Sequence, residues 1–145
     1  MTKYISIDPG KCKCGLIFAD FERKIILKAV VIESSLLVDN IIDLINEYQN
    51  TKVIIGNGTS SKDHINSLNF LENLTIVEEK NTTVRAKERY FEIFPIRGVQ
   101  RFLPRDIFLL NINLDAISAL VILEDYLNCK FTLNCNHLSK TWKKQ

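Results

Sequence analysis

The chain has 145 residues, 46% of them hydrophobic and 25% charged, with a formal net charge of +2. That length suits one domain able to bury about 70% of the surface its unfolded chain exposes, so no disulfide framework is required. No apolar run approaches the ~20 residues of a membrane helix, and Met1-Thr2-Lys3-Tyr4 lacks a signal-peptide profile, so a cytoplasmic protein without membrane attachment is expected.

The first third reads as a β-meander. Lys3–Asp8 is a strand built on the apolar run Tyr4-Ile5-Ser6-Ile7, and Gly15-Leu16-Ile17-Phe18-Ala19 is a second. Asp20-Phe21-Glu22-Arg23 makes a turn, and Lys24–Glu33, rich in Ile and Val, is a third strand. Ser34 or Ser35 can cap a helix whose apolar positions Leu37, Ile41, Leu44, Ile45 and Tyr48 follow the 3.6-residue period.

The remainder alternates. Lys52–Gly56 is a short buried strand followed by a Gly-Asn-Gly-Thr-Ser-Ser loop, Asp63–Leu71 is a helix, and Leu74–Glu79 is a strand. A helix then runs from Thr82 or Thr83 to Phe94 and stops before Pro95. Residues 95–114 read as a long loop carrying three arginines spaced by four (Arg97, Arg101 and Arg105), and loops of that length in compact domains are often functional. Asp115–Leu127 is the last helix, followed by a polar, basic tail. The order β-β-β-α-β-α-β-α-α predicts an α/β fold with a mixed five-stranded sheet. A three-strand meander and two crossover strands form it, with helices on both faces.

Three acids occupy element ends in this arrangement. Asp8 ends the first strand, Glu79 follows Leu74-Thr75-Ile76-Val77-Glu78, and Asp115 opens the most hydrophobic helix. Ligands of open α/β sheets bind outside the carboxyl ends of the strands, so these carboxylates can converge on one edge. Each also has a plainer reading. Asp8-Pro9-Gly10 could be an ordinary type II turn. Glu78 and Glu79 point to opposite faces of a strand, so one of them at most joins a site. Asp115 could simply be an N-cap, and Glu124 and Asp125, further along the helix, read as solvated. Against the first of these, a carboxylate in a central strand costs several kcal/mol unless paired or metal-bound.

Carboxylates in this number repel without a cation, and hard oxygen ligands suit Mg²⁺ or Mn²⁺. Paired ions of that kind can clamp a scissile phosphate without any histidine, cysteine or serine nucleophile. A metal-dependent phosphodiesterase acting on nucleic acid is therefore expected. Zinc is disfavoured: Cys12, Cys14, Cys129, Cys135, His64 and His137 lack the close C-x₂₋₄-C pairs of finger and ribbon sites, so the thiols read as small apolar side chains.

Charge distribution points the same way. Residues 80–105 hold seven basic residues (Lys80, Arg85, Lys87, Arg89, Arg97, Arg101 and Arg105) against Glu88 and Glu92, a local charge of +5 that leaves −3 elsewhere. A basic surface beside the acids would draw a polyanion toward them. Lys11, beside Asp8, joins Lys80, Arg85, Arg89, Arg97, Arg101 and Arg105 in the expected nucleic-acid-binding set.

Four segments together resemble the RuvC-like, YqgF-type nucleases of the ribonuclease H superfamily. Ile7-Asp8-Pro9-Gly10 with Cys14-Gly15-Leu16 resembles the opening D-x-G…G motif, and Val53-Ile54-Ile55-Gly56-Asn57-Gly58 the I-V-G-x-P/N strand and loop. Val77-Glu78-Glu79-Lys80-Asn81-Thr82-Thr83-Val84-Arg85-Ala86 resembles D-E-R-x-[ST]-T-x-x-A. Leu114-Asp115-Ala116-Ile117-Ser118-Ala119-Leu120 and its continuation to Tyr126 resemble the V-D-x-x-A-A-x-x-I-L-x-x-Y/F helix. The blocks keep the family's order over residues 5–127, and the Asn-Thr-Thr variant is similar to a cyanobacterial branch described as Holliday-junction-resolvase-like.

The resemblance implies a ribonuclease H-like fold with Asp8, Glu79 and Asp115 as catalytic and metal-holding acids. Glu78 and Lys80 take the places of the motif's Asp and Arg. Glu78, Asn57, Thr82 and Thr83 become supporting residues. The final motif lacks a second acid near Asp115, leaving one ion or two open. The implied activity is that of a Mg²⁺-dependent endonuclease on structured nucleic acid, either branched DNA in recombination or ribosomal RNA precursors, with a homodimer suited to a two-fold junction. A catalytically inactive nucleic-acid-binding module of the same fold is the alternative. The D-x-G opening also occurs in actin-like ATP-binding domains, but those kinases need two such domains.

Overall fold

The computed structural model describes residues 1–109 and 113–133. Its centre is one sheet with strand order β5-β4-β1-β2-β3-β6. The strands are β1 (Lys3–Asp8), β2 (Lys13–Asp20), β3 (Ile25–Glu33), β4 (Thr51–Gly56), β5 (Leu74–Val77) and β6 (Thr132–Leu133). β1, β2 and β3 form the expected antiparallel meander, while β4 and β5 are added parallel to β1. This is the expected mixed α/β arrangement, with helices packed on both faces of the sheet. The sixth strand is a correction: β6 pairs parallel with β3 through Ile25 and Ile26, and two residues are too few to show a period-2 pattern.

Helices α1 (Leu37–Glu47), α2 (Ser61–Ser67), α3 (Thr82–Ile93), α4 (Arg105–Leu109) and α5 (Asp115–Leu127) complete the fold. Strand alternation divides the core. Tyr4, Ile17, Ala19 and Ile54 pack with α5 and α3, whereas Ile5, Ile7, Leu16, Phe18, Val53 and Ile55 pack with Leu37, Ile41 and Leu44 of α1 and with Leu68 just after α2. Helix α5 is buried continuously from Ala116 to Glu124. It is hydrophobic on every side because the sheet covers one side and α3 another. Ser6, an otherwise costly polar group in the central strand, donates its hydroxyl to the Ala119 carbonyl at 2.7 Å and ties β1 to α5.

Several boundaries differ from expectation for local reasons. The residues from Ser34 to Leu36 form a 3₁₀ turn, so that Leu36, which has no side-chain acceptor, stands at the N-cap of α1, while the Ser34 hydroxyl donates to the Gly10 carbonyl at 3.0 Å. Helix α2 starts two residues early and ends at Ser67. The loop expected at 95–114 contains a 3₁₀ segment, Gly98–Phe102, and α4. Gly10 is not a type II turn glycine, since its φ is not positive. It is required because an added Cβ would lie 1.9 Å from the Lys13 carbonyl oxygen. No helix of the described residues is long and apolar enough to cross a membrane.

Candidate active site

The register of three strands sets the surroundings of Asp8. Asp8 pairs with Gly15 of β2 on one side, and on the other the Ile7–Ile55 pair puts Gly56 of β4 next in line beside it. Both flanking residues are bare backbone. A Cβ on Gly15 would stand 1.9 Å from the carbonyl oxygen of Asp115, so the first turn of α5 rests directly on β2. A Cβ on Gly56 would stand 1.7 Å from Oε1 of Glu79, and one on Gly58 would stand 3.1 Å from Oε2. Asp8 therefore lies between two hollows, one taking the start of α5 and the other the Glu79 carboxylate.

Strand parity explains why the acids share a face. Tyr4 belongs to the α5 side of the sheet and Ile5 and Ile7 to the opposite side, so Ser6 and Asp8 look toward α5. On β5, Val77 packs toward the same side, and Glu79, two residues on, keeps it. Glu78 is exposed. Because Gly56 leaves room for the Glu79 carboxylate and for nothing larger, Gly56→Ala is expected to push it aside. On the expectation that Glu79 takes part in cleavage, a displacement of this size lowers the rate about 10²-fold. The neighbour that must yield is a flexible side-chain end, so the melting temperature should stay within a few degrees; an unchanged rate would show that the position of Glu79 does not matter.

The electrostatics are those of crowded, buried negative charge. Burial, and then the charges of Glu79 and Asp115, push the Asp8 carboxyl up to about 7. Burial also raises Glu79. It raises Asp115 as well, against the opposing pull of the Asn113 hydrogen bond and the Lys13 charge. Glu79 Oε1 is the one buried side-chain oxygen or nitrogen among the described residues with no hydrogen-bond partner. All three side chains offer carboxylate oxygens, the hard ligand type that Mg²⁺ takes. Among the described residues no three His, Cys, Asp or Glu side chains stand as a group that could hold a metal ion.

Of the supporting residues, Asn57, Thr82 and Thr83 line one open cavity of about 500 Å³ with Glu79, Gly58, Thr59, Asn81 and Val84. Asp115 is not an N-cap. It is the first residue of α5, and the Asn113 side-chain oxygen accepts the Asp115 N–H at 2.9 Å, leaving the Asp115 carboxylate uncommitted to capping.

The basic set divides. Lys11, Lys80, Arg97, Arg101 and Arg105 are exposed, with Arg105 stacked over Phe91 at 5.2 Å. Arg85 forms a two-pronged ion pair with Asp125. Arg89 is a correction. Its guanidinium is 11% exposed and is bound by Glu124, at 3.0 Å from Nε and 2.8 Å from Nη2, and by the Phe131 carbonyl at 2.8 Å. Glu124 is correspondingly buried rather than solvated. Helical spacing put both residues on polar positions, and it could not show that α3 and α5 pack together there.

Cys14 is wholly buried in the core, with Sγ 3.7 Å from His64 Nε2. Cys12 is exposed and Cys129 half-buried; Cys135 and His137 lie outside the described residues. Sequence reasoning missed Gly56 as the seat for Glu79, Asn113 as the acceptor at the start of α5, and Thr59 and Lys62 as cavity residues. The Gly-Asn-Gly-Thr-Ser-Ser loop was the available signal for the first and third.

No protein-family model matches the chain, and no curated protein sequence matches it. Among solved structures, T. thermophilus RuvC in complex with a Holliday junction substrate is similar at 11% identity and a TM-score of 0.49, over 91% of this chain and 100% of that one.

Proposed function

We propose that this chain is a divalent-metal-dependent endonuclease that hydrolyses phosphodiester bonds in structured nucleic acid, with Asp8, Glu79 and Asp115 as its catalytic and metal-holding carboxylates. The observation that carries this reading is the partnerless buried oxygen of Glu79 beside an Asp8 carboxyl pushed up to about 7. A buried polar atom left without a partner costs about 1–3 kcal/mol, a penalty that a cation would relieve. Mg²⁺ or Mn²⁺, when bound, supplies Lewis acidity and an ionised water near neutral pH.

The chain's own residues orient the substrate. Asn57, Thr82 and Thr83 offer neutral donors beside Glu79, and Glu78 supports from the exposed side of the same segment. Lys11, Lys80, Arg97, Arg101 and Arg105 supply exposed positive charge that draws in a polyanion. Branched DNA in recombination and ribosomal RNA precursors are the two substrate classes in view. A junction of two-fold symmetry would engage a homodimer, acting in the cytoplasm.

Incubating a four-way DNA junction, a DNA duplex and a structured RNA side by side with Mg²⁺, Mn²⁺ or EDTA tests this. Cleavage of at least one substrate with either ion, and of none in EDTA, is the expected result. Binding without cleavage under any metal would instead establish the second reading, a catalytically inactive binding module. That reading has its own support in the absence of a ready-gathered carboxylate cage among the described residues.

A further inference from the structure

Between the β1–β2 turn and α2 lies a second cavity of about 350 Å³ lined by Lys11, Thr59, Ser60, Lys62, Asp63 and His64. We propose that it is a phosphate subsite, holding a backbone phosphate next to the scissile one and so setting where along the strand the acids act. The proposal rests on the nuclease reading and adds a residue set to it. Two lysines face one aspartate here, whereas the neighbouring cavity contains Glu79 and no basic residue. Lysine provides a compact point charge suited to phosphate, and the hydroxyls of Thr59 and Ser60 provide neutral donors. The volume is at the lower end for small-ligand sites.

Two features link this cavity to the acids. Thr59 lines both cavities, so they meet across one residue of the loop after β4. The wall is also fastened to the turn that carries Asp8. The Gly10 carbonyl accepts the Ser34 hydroxyl at 3.0 Å and His64 Nε2 at 2.8 Å. A carbonyl can only accept, so Nε2 carries the proton. Gly10 is two residues from Asp8 and α2 carries both Lys62 and His64, so an anion in the cavity sits at a fixed distance from the central acid. His64 is thus a positioning residue.

The test uses the full chain in EDTA. The imidazole Hε1 resonance of His64 is identified by its loss in His64→Gln, then followed during titration with inorganic phosphate, with chloride at matched ionic strength, and with a short single-stranded oligonucleotide. A saturable shift with phosphate and oligonucleotide but not with chloride is expected. Lys62→Gln should weaken both about tenfold, as loss of one charge-assisted contact would. In the active enzyme with Mg²⁺, Lys62→Gln should raise KM by a similar factor and leave kcat little altered. Equal shifts with chloride, or an unaltered KM in an active Lys62→Gln enzyme, overturn the subsite and leave the nuclease reading standing. A shift with phosphate but not with oligonucleotide would mark a site for free phosphate and also overturn it. Saturable binding of phosphate and oligonucleotide that Lys62→Gln weakens, with no cleavage of any nucleic acid by the wild type, overturns the nuclease reading and retains the anion site.

Discussion

Asp8→Asn should lower cleavage by at least about 10³-fold, since several kcal/mol of transition-state stabilisation depend on a properly charged metal site, and should at the same time make the metal-free protein more heat-resistant near pH 8. Both effects have one cause. The Asp8 carboxyl is raised from an ordinary 3.8 to about 7 by burial and by Glu79 and Asp115, so the fold favours its protonated form. That contribution to stability is fully present below about pH 4 and is lost as pH rises through 7. Across the window it amounts to on the order of 2–4 kcal/mol. Asparagine keeps the shape and removes the charge, so it escapes the loss.

In EDTA, the melting temperatures of wild type and Asp8→Asn should therefore coincide at about pH 4 and separate by several degrees at pH 8, the mutant higher. Mg²⁺ should raise the wild type through binding linkage, by about 2.7 kcal/mol at a hundredfold excess over its Kd, and leave the mutant nearly unmoved. Circular-dichroism melts at four or five pH values, with and without Mg²⁺, measure all of this. A mutant less stable than wild type at pH 8, or one equally stabilised by Mg²⁺, would mean that the acids do not form a shared anionic pocket. Retained cleavage would remove Asp8 from the chemistry.

The second large effect lies away from the chemistry. Arg89→Ala should destabilise the protein by about 3–5 kcal/mol, because it strands the buried Glu124 carboxylate. Glu124 would keep the Phe131 N–H at 2.9 Å and a distant Lys130 at 3.6 Å, too little for a charge that is 6% exposed. The Phe131 carbonyl would lose its arginine as well, loosening the approach to β6. A fall in melting temperature of roughly 10–15 °C is expected for a chain of this size. Arg89→Met combined with Glu124→Leu should recover most of it, since an apolar pair of similar volume removes both charges. If Arg89→Ala melted like wild type and only weakened nucleic-acid binding, the arginine would belong to the substrate surface after all.

The two arginines of α3 illustrate how far one-dimensional reading reaches. The spacing of Arg85 and Arg89 shows one polar helix face, and the local charge of +5 is real. Yet Arg85 meets Asp125 and Arg89 meets Glu124 only because α3 lies along α5. A charge excess counted along the chain is thus partly neutralised across it.

Alternating and 3.6-residue hydrophobic patterns, together with Pro and Gly at element ends, were enough to determine the meander, the crossover strands and the long helices, because burial acts on each element through its own period. They also put Asp8, Glu79 and Asp115 at element ends. Register and packing alone decided the rest: Gly15 and Gly56 on either side of Asp8, Glu79 rather than Glu78 turned toward α5, Asn113 in place of Asp115 as the acceptor at the helix start, and the burial of Glu124. Gly56 meets Glu79, Gly15 meets Asp115 and Arg89 meets Glu124 across tens of positions of chain, whereas the Asn113 contact is local and depends on the conformation of the turn that enters α5.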